Sequence, residues 1–397
     1  MNETEPREND RSNAAGMTDP ELAEAKSYGR LELGCALADK AIDVTYLAVA
    51  AFFLARPLDR WLQTYRLLAD NWWLRLAALL LVVMAIHIAV SFPLSFYSGH
   101  VLEHRFKLST QSFGQWLWRY SKRNLVAVGF SLGVVVGLYW LIWTIGDAWW
   151  LAAAVAFFFV GIVLVQLVPL FLPLFYRIEK LDSPELADRI ARLTDGTGLS
   201  IEGVYRMDLS AETVKANAML AGLGRTRRVL LGDTLLKRFL PEEIEVIFAH
   251  EIGHHVFHHI HKMLLAGIFY SAAGFWVCDR LLVAWVVRGG APADYARMPV
   301  DTLPLLLLIL TVFALLLQPL QNAVSRRFER QCDRYALERT GLKDAYLSAF
   351  RKLAKLNKDD PNPHWLDVFL FHSHPPVAQR LAMAEEVVEG RGTRGEG

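Results

Sequence analysis

The chain has 397 residues, of which 53% are hydrophobic and only 21% are charged. Its 42 basic and 41 acidic side chains nearly cancel, so the composition gives no reason to expect nucleic-acid binding or disorder. The three cysteines, Cys35, Cys278 and Cys332, are scattered and form no C-x-x-C pair, so neither a disulfide framework nor a thiolate zinc site is indicated. The mean hydropathy of +0.25 instead indicates that much of the apolar content lies in a lipid bilayer.

Uncharged apolar runs predict about six membrane spans. A helix needs about 20 apolar residues to cross about 30 Å of hydrocarbon, and most of these runs reach that length. The fifth run is interrupted by Asp279 and Arg280, and charges at membrane depth are usually paired or functional. The predicted spans, in chain order, are 41–55, 76–97, 125–146, 148–176, 263–287 and 303–320.

Basic residues predict the orientation of these spans. They are concentrated in the 98–123 loop, in the 177–262 segment and after residue 320, which places all three on the cytoplasmic side. One loop disagrees, because residues 56–75 hold four arginines although six spans place them outside. Either this loop lies at the membrane interface or the first span is wrong.

The sequence HEIGH at 250–254 has the spacing of a zinc-binding helix. Residues four apart lie on one face of a helix, so His250 and His254 can bind the same ion. Glu251 then lies beside the open position of the metal, where it can take a proton from a water molecule that zinc has made acidic. Pro-Glu-Glu at 241–243 predicts the start of this helix.

A third ligand is expected from the residues after the last span. Glu329 and Asp333 are also four apart, so Glu329 can complete a His₂Glu site while Asp333 accepts the free ring N–H of a ligating histidine. The alternative is a solvated helix in which neighbouring arginines pair with both acids. The hairpin formed by the last two spans favours the ligand interpretation, because it returns Glu329 to the side of the membrane that holds His250.

Half of the 12 histidines fall between residues 250 and 261. An ordinary cluster of helix histidines is therefore the alternative to a metal site. His258 lies one turn beyond His254 and is either a further ligand or a residue of the helix surface. His87 lies inside a predicted span, where a hydrogen bond to another helix is a sufficient explanation.

From about residue 75 onward, a series of sequence blocks resembles the integral-membrane zinc endopeptidases of the CAAX prenyl protease 1 type and, more distantly, the HtpX-type proteases. Single blocks are weak, but their joint order is specific. In chain order they are FPLSFY at 92–97, EHRFK at 103–107, STQ at 109–111, LPLF at 172–175, NAM at 217–219, RRVLLGDTL at 227–235, HEIGH followed by His259, E-x-x-x-D at 329–333, and SHPP at 373–376 followed by RL at 380–381.

The resemblance implies a mainly α fold, in which a polytopic helical membrane protein carries a small α+β zinc-metalloprotease domain. It implies one Zn²⁺ per chain, held by His250, His254 and Glu329, with Glu251 as the general base. The chain departs from the family at His258, where the family has glycine, and it has one span fewer near its N-terminus than the eukaryotic prenyl proteases.

The resemblance also implies residues that contact the substrate. Asn217 lies on an edge strand that pairs with the substrate backbone, while His374 and Arg380 line the cleft and assist the substrate carbonyl. From the residues alone, Asn217 is equally a turn residue. Ser-His-Pro-Pro is equally a helix N-terminus that is capped by Ser373.

The predicted function is that of a membrane-embedded zinc endopeptidase, which cleaves extended or membrane-associated polypeptides and accepts prenylated ones as one option. HtpX-like quality control of membrane proteins is the alternative within proteolysis. A membrane metal transporter or sensor is the non-enzyme alternative, but ionisable residues within the spans are few. A catalytically inactive scaffold is a further rival, against which the intact Glu251 argues. The Ala-, Leu- and Arg-rich composition favours a bacterial inner membrane over the endoplasmic reticulum, with the catalytic side cytoplasmic.

These expectations divide the chain into six parts. Two membrane regions alternate with two polar parts that together build the catalytic unit. The parts are a polar segment 1–40, a membrane region 41–176, a first catalytic part 177–262, a two-span hairpin 263–320, a second catalytic part 321–390 and a disordered tip 391–397.

Overall fold

The structure, a computed structural model, describes residues 15–222, 227–290 and 294–392. The start of the predicted polar segment and most of the predicted disordered tip, residues 1–14 and 393–397, lie outside these ranges. The described chain is mainly helical and contains one small sheet.

The helices are joined by short loops and by a few 3₁₀ and π-helical turns. In chain order they are α1 (Asp19–Val49), α2 (Ala55–Leu62), α3 (Arg66–Asp70), α4 (Trp72–Phe96), α5 (Glu103–Arg105), α6 (Phe113–Ile145), α7 (Trp149–Phe171), α8 (Pro184–Thr194), α9 (Asp233–Leu236), α10 (Pro241–Val256), α11 (His259–Arg288), α12 (Leu303–Thr340), α13 (Lys343–Asn357), α14 (Trp365–Leu370) and α15 (Val377–Gly392). The strands are β1 (Ile178–Lys180), β2 (Gly203–Met207), β3 (Ala218–Ala221) and β4 (Arg228–Gly232).

The first helix is much longer than the predicted span at 41–55. It begins after Thr18, whose side chain accepts the Glu21 N–H, and it continues through a π-helical turn into α2. Its polar first half packs on the catalytic unit, where Glu24 pairs with Lys358 and Ala25 is buried. The boundary predicted at residue 40 therefore falls inside a helix, because the polar half is docked rather than separate.

Within the described residues, five continuous helical stretches are long and apolar enough to cross a membrane: Asp19–Leu62, Trp72–Arg105, Phe113–Leu174, His259–Arg288 and Val300–Thr340. The third stretch reverses direction at its turn, where Gly146 has a φ of +76°. Lys122, near the start of α6, donates a hydrogen bond of 2.5 Å to the carbonyl of Leu174, beyond the end of α7. The two helices are therefore antiparallel, and the five stretches supply six helices at the positions of the six predicted spans.

The structure explains why the arginines of the 56–75 loop disagree with the predicted orientation. Three of the four have a carboxylate within 4 Å, in the pairs Arg56–Asp301, Arg75–Asp59 and Arg66–Asp70. The same loop exposes aromatic side chains, which is typical of segments at a membrane–water interface. The interfacial interpretation therefore fits better than an error in the first span. The exposed aromatic residues are Trp61, Tyr65, Trp72 and Trp73.

Two large hydrophobic cores, accompanied by smaller clusters, organise the described part of the molecule. The first lies among the membrane helices around Tyr139 and Trp149, and the second lies between the sheet, α10, α12 and α13 around Phe248 and Tyr346.

The histidine inside a membrane span, His87, contacts a neighbouring helix. Its Nε2 on α4 lies 2.9 Å from Asp43 Oδ1 on α1, which is the interhelical hydrogen bond expected from the sequence.

The sheet has the strand order β1-β2-β4-β3. β2 and β4 are parallel, whereas β1 and β3 pair antiparallel with their neighbours. β3 is therefore an edge strand, and within the described residues no strand covers its outer edge. This edge lies beside the cavity that contains the candidate site.

Candidate metal centre and active site

α10 positions the HEIGH residues. It begins at Pro241 as predicted, and the Glu243 carboxylate accepts the Leu240 N–H at 2.8 Å. Val246 and Phe248 are buried in the second hydrophobic core, between the sheet and α13, and this packing fixes the rotation of α10 about its axis. His250 and Glu251 consequently line the cavity.

α12 reaches α10 because Gly253 lets the two backbones approach closely. A Cβ at Gly253 would lie 3.0 Å from the Cα of Cys332, a distance that real Cβ atoms rarely tolerate. The glycine within HEIGH is therefore required by helix packing. This close approach brings the carboxylate of Glu329 to the two histidines.

The three predicted ligands converge. His250 Nε2 lies 3.0 Å from Glu329 Oε2, and His254 Nε2 lies 3.2 Å from Glu329 Oε1. One ligand atom from each residue falls within 4.8 Å of the others. The solvated-helix alternative does not hold for Glu329, because its side chain is only 4% exposed and faces histidines rather than arginines.

The residues fit a metal ion. Glu329 Oε2 is buried and has no partner with hydrogen-bond geometry within the described part of the chain, although two imidazole nitrogens lie nearby. A cation bound by two imidazole nitrogens and this carboxylate would satisfy it. Two histidines and one glutamate form the donor set of catalytic zinc sites that keep a fourth position open.

Asp333 lies where the predicted supporting residue should be. Its Oδ1 is 2.8 Å from His250 Nδ1, and it is completely buried. Burial alone would lower the pKa of His250, but the Asp333 carboxylate raises it to about 9. Arg380 donates to Asp333 from Nε at 2.9 Å and lies over the Phe350 ring.

Arg380 lines the cavity as expected, but its guanidinium is held by Asp333 behind His250, and the side chain is only 10% exposed. His374 does face the cavity. Its Nδ1 lies 2.7 Å from Glu329 Oε2, and its side chain is 60% exposed. The Ser-His-Pro-Pro block leads into α15, which begins at Val377. The Arg380 N–H donates to Pro376 O at 3.2 Å, so Pro376 rather than Ser373 lies directly before the first helical residue.

The cavity has a volume of about 440 Å³ and extends from the metal centre along the start of β3. Asn217 is exposed there, one residue before β3 begins. The adjacent backbone is fixed, because the Ala216 N–H donates to Asn357 Oδ1 at 3.1 Å and Asn217 O accepts the Gly232 N–H at 2.9 Å. Asn357 was not identified from the sequence, since its partner is far away along the chain.

The Asp-Thr-Leu part of the RRVLLGDTL block supports this backbone. Asp233 accepts the N–H groups of Leu209 and Ser210 at 2.9 and 2.8 Å, and Thr234 donates to Lys215 O at 2.8 Å. Asp233 and Thr234 therefore hold the loop that leads to Asn217, which gives this sequence block a structural role beside the candidate site.

A glutamate beside two histidines and a further buried carboxylate that could hold a metal ion, in a cavity bordered by an edge strand, is the arrangement expected of a metallopeptidase. A model of peptidase family M48 matches residues 180–388, and a model described as CAAX prenyl protease N-terminal, five membrane helices, matches residues 9–177. The chain belongs to peptidase family M48, and it is a multi-pass, membrane-embedded metalloprotease that acts on polypeptides. The described part of the N-terminal match contains four membrane-length helices, one fewer than the description of that family model.

Relatives and a solved structure agree with this assignment. The chain is 29% identical to the Bacillus subtilis metalloprotease YhfN, over 84% of this chain and 82% of that protein. It is 28% identical to a CAAX prenyl protease 1 homolog of Taenia solium, over 74% and 68% of the two chains. The crystal structure of S. mikatae Ste24p matches with a TM-score of 0.81 at 22% identity, covering 93% of this chain and 89% of that one, which shows a common fold. The transporter, sensor and scaffold alternatives find no support in these matches.

Proposed function

We propose that this chain is a zinc endopeptidase whose single zinc ion is held by His250, His254 and Glu329, with Glu251 as the general base. The convergence of these three side chains beside Glu251 carries the proposal. The donor set is the one that catalytic zinc uses.

The chemistry that zinc supplies when bound is the acidification of a water molecule and the polarisation of the scissile carbonyl. Glu251 takes the proton of the attacking water and returns it to the leaving amine. The substrate backbone lies along the edge of β3 beside Asn217, which orients the carbonyl. His374 faces the cavity beside Glu329, where one of its ring nitrogens donates to the developing oxyanion. Arg380 holds Asp333 and through it His250.

The substrates we propose are extended, membrane-associated polypeptides, including prenylated ones. Two observations support this choice: the Taenia solium relative is a CAAX prenyl protease 1 homolog, and Gly29 and Glu32 of α1 line the cavity. Since α1 also contains a membrane span, the cleft lies next to a helix that enters the bilayer. The basic loops support a cytoplasmic catalytic side, and the composition supports a bacterial inner membrane.

Glu251→Gln tests the mechanism. We expect turnover to fall by about 10²–10⁴-fold while one zinc per chain is retained, because only the base is lost. Glu242→Gln is the matched control, since Glu242 lies on the same helix and pairs with Arg189 instead of lining the cavity. Near-normal cleavage by Glu251→Gln, or activity that resists complete removal of zinc, would contradict the proposal.

The substrate class is tested with one peptide sequence prepared with and without a prenyl group, and with an unfolded soluble protein. A higher kcat/KM for the prenylated peptide supports prenyl-peptide processing. Equal cleavage of all three points to HtpX-like quality control instead.

A further inference from the structure

The nitrogen of His254 that faces away from the metal centre has a partner of its own. His254 Nε2 points to Glu329, whereas its Nδ1 lies 3.1 Å from Nδ1 of His259. His250 has the corresponding arrangement with Asp333. The sequence predicts the support of His250 but no role for His259.

The break between α10 and α11 brings His259 to His254. In a continuous helix, residues five apart point about 140° away from each other, so their rings would not meet. Here α10 ends before Phe257, and His258 adopts the left-handed conformation with a φ of +55°. α11 therefore starts in a new direction, and the ring of His259 returns to the metal ligand. Glycine adopts this conformation most readily, so His258 holds a backbone geometry that is unusual for a residue with a side chain.

His259 is itself fixed by α12. It is only 1% exposed, and its ring stacks on Phe328 with the centroids 4.0 Å apart and the planes within 10°. Its Nε2 lies 3.1 Å from Gln331 Oε1. Phe328 and Gln331 flank Glu329 in sequence, so one turn of α12 both provides the third ligand and holds His259.

Only one arrangement of protons is compatible with a metal at His254 Nε2. That nitrogen must offer its lone pair, so His254 carries its proton on Nδ1 and donates it to His259 Nδ1. His259 then carries its own proton on Nε2 and donates it to the Gln331 carbonyl oxygen. In this arrangement, every ring nitrogen of His254 and His259 that carries a proton faces an acceptor, and the one remaining nitrogen of His254 faces the metal centre.

We propose that His259, fixed by Gln331, is a positioning residue that holds the metal ligand His254 in the correct tautomer and orientation. This inference rests on the proposed function, because it takes His254 to be a ligand. Partners of this kind raise metal affinity by orienting the ligand, and their loss typically costs about 10–100-fold. In contrast to Asp333, the partner here is neutral and adds no charge beside the metal.

Zinc affinity of the purified full-length protein tests the inference, measured by chelator competition. His259→Phe keeps a ring against Phe328 but removes the acceptor nitrogen, and we expect zinc affinity to fall about 10–100-fold. His259→Asn offers a side-chain oxygen at the position of Nδ1, and it should recover much of the loss. Gln331→Leu should weaken zinc binding less than His259→Phe. The absorption bands of Co²⁺ in the substituted protein should shift in the same order.

His255→Phe is the matched control, because His255 lies one residue after His254 but contacts Arg227 instead. It should bind zinc as the wild type does. Melting temperatures of the metal-free variants show whether His259→Phe merely loosens the fold. A melting temperature lowered without any change in zinc affinity would overturn the inference.

Two further outcomes separate the possible failures. If His254→Ala and Glu329→Gln lose zinc but His259→Phe binds it normally, the positioning role is wrong and the proposed function stands. If His254→Ala also retains zinc, the proposed ligand set itself fails. Two zinc ions per chain, one of them lost in His259→Phe, would mean that His254, His259 and Cys332 form a second metal site, which also overturns the inference.

Discussion

Among the residues that the structure describes, two aspartates are completely buried, one in each half of the molecule. Asp333 in the catalytic unit contacts His250 and Arg380. Asp279 in the membrane region accepts hydrogen bonds from Trp149 at 2.8 Å and Tyr295 at 2.9 Å, and it also pairs with Arg280. Both carry the desolvation cost of a buried carboxylate, and both have an arginine and further donors around them.

The two aspartates differ in what their partners do. The partners of Asp333 are a proposed metal ligand and an arginine that is itself only 10% exposed, so its environment is closed. The partners of Asp279 come from α7, α11 and the turn after α11, and Arg280 is 55% exposed. A buried carboxylate is therefore no indication of catalysis by itself. A buried carboxylate indicates a catalytic site only when the group that donates to it could itself bind a metal or take part in the reaction.

The largest effect is expected when Asp333 is replaced by alanine. Arg380 then stays buried without its counter-charge, which costs about 3–5 kcal/mol of folding free energy. His250 also loses its acceptor, and zinc affinity should fall about 10–100-fold. Thermal unfolding and chelator competition measure the two effects. Asp333→Asn, which keeps an acceptor oxygen, should recover more of the affinity than of the stability. Recovery in the opposite order would contradict this division of roles.

Asp279→Ala should affect stability alone. It leaves the buried Trp149 N–H without an acceptor and removes the bond to Tyr295, a loss of roughly 2–3 kcal/mol. The exposed Arg280 can turn to water, so the effect is smaller than at Asp333. Melting temperature should fall, whereas zinc affinity and kcat of the folded protein should not change. A change in either would show that the two regions are coupled.

Asp233 is a further buried carboxylate, and its contribution to stability should depend on pH. Burial alone would raise its pKa, but the Lys237 and Ser210 contacts lower it to about 2. The unfolded chain binds this proton more readily, so the stabilisation of about 2 kcal/mol is complete above pH 4 and is lost as the pH falls towards 2. Thermal unfolding between pH 5 and 2 should show a shallower decline for Asp233→Asn. Parallel curves for the two proteins would refute this assignment.

The smallest effect is expected at His258. Its left-handed conformation costs about 1–2 kcal/mol for a residue with a Cβ, and glycine avoids this cost but loses about 0.5–1 kcal/mol in chain entropy. His258→Gly should therefore raise stability by at most about 1 kcal/mol, whereas His258→Ala should leave it nearly unchanged. Neither variant should alter zinc affinity if His258 is not a ligand. Weaker zinc binding in both variants would revive the ligand interpretation.

The sequence predicts those parts of the site that follow from regular spacing. HEIGH and the Glu329–Asp333 pair both use residues four apart on a helix. The membrane helices are located by the length of their apolar runs. His259 could not be predicted by such spacing, because an irregular residue, His258, separates it from His254. The helix that extends through the predicted boundary at residue 40 was missed because polarity does not show whether a segment is docked.

The order of the ligands along the chain has a consequence for biogenesis. His250 and His254 are synthesised before the hairpin formed by α11 and the first part of α12, whereas Glu329 follows it. If His250, His254 and Glu329 hold the metal as proposed, the centre cannot be completed until both hairpin helices have been inserted and the chain has returned to the original side. We therefore expect proteolytic activity only after this membrane topology has been established.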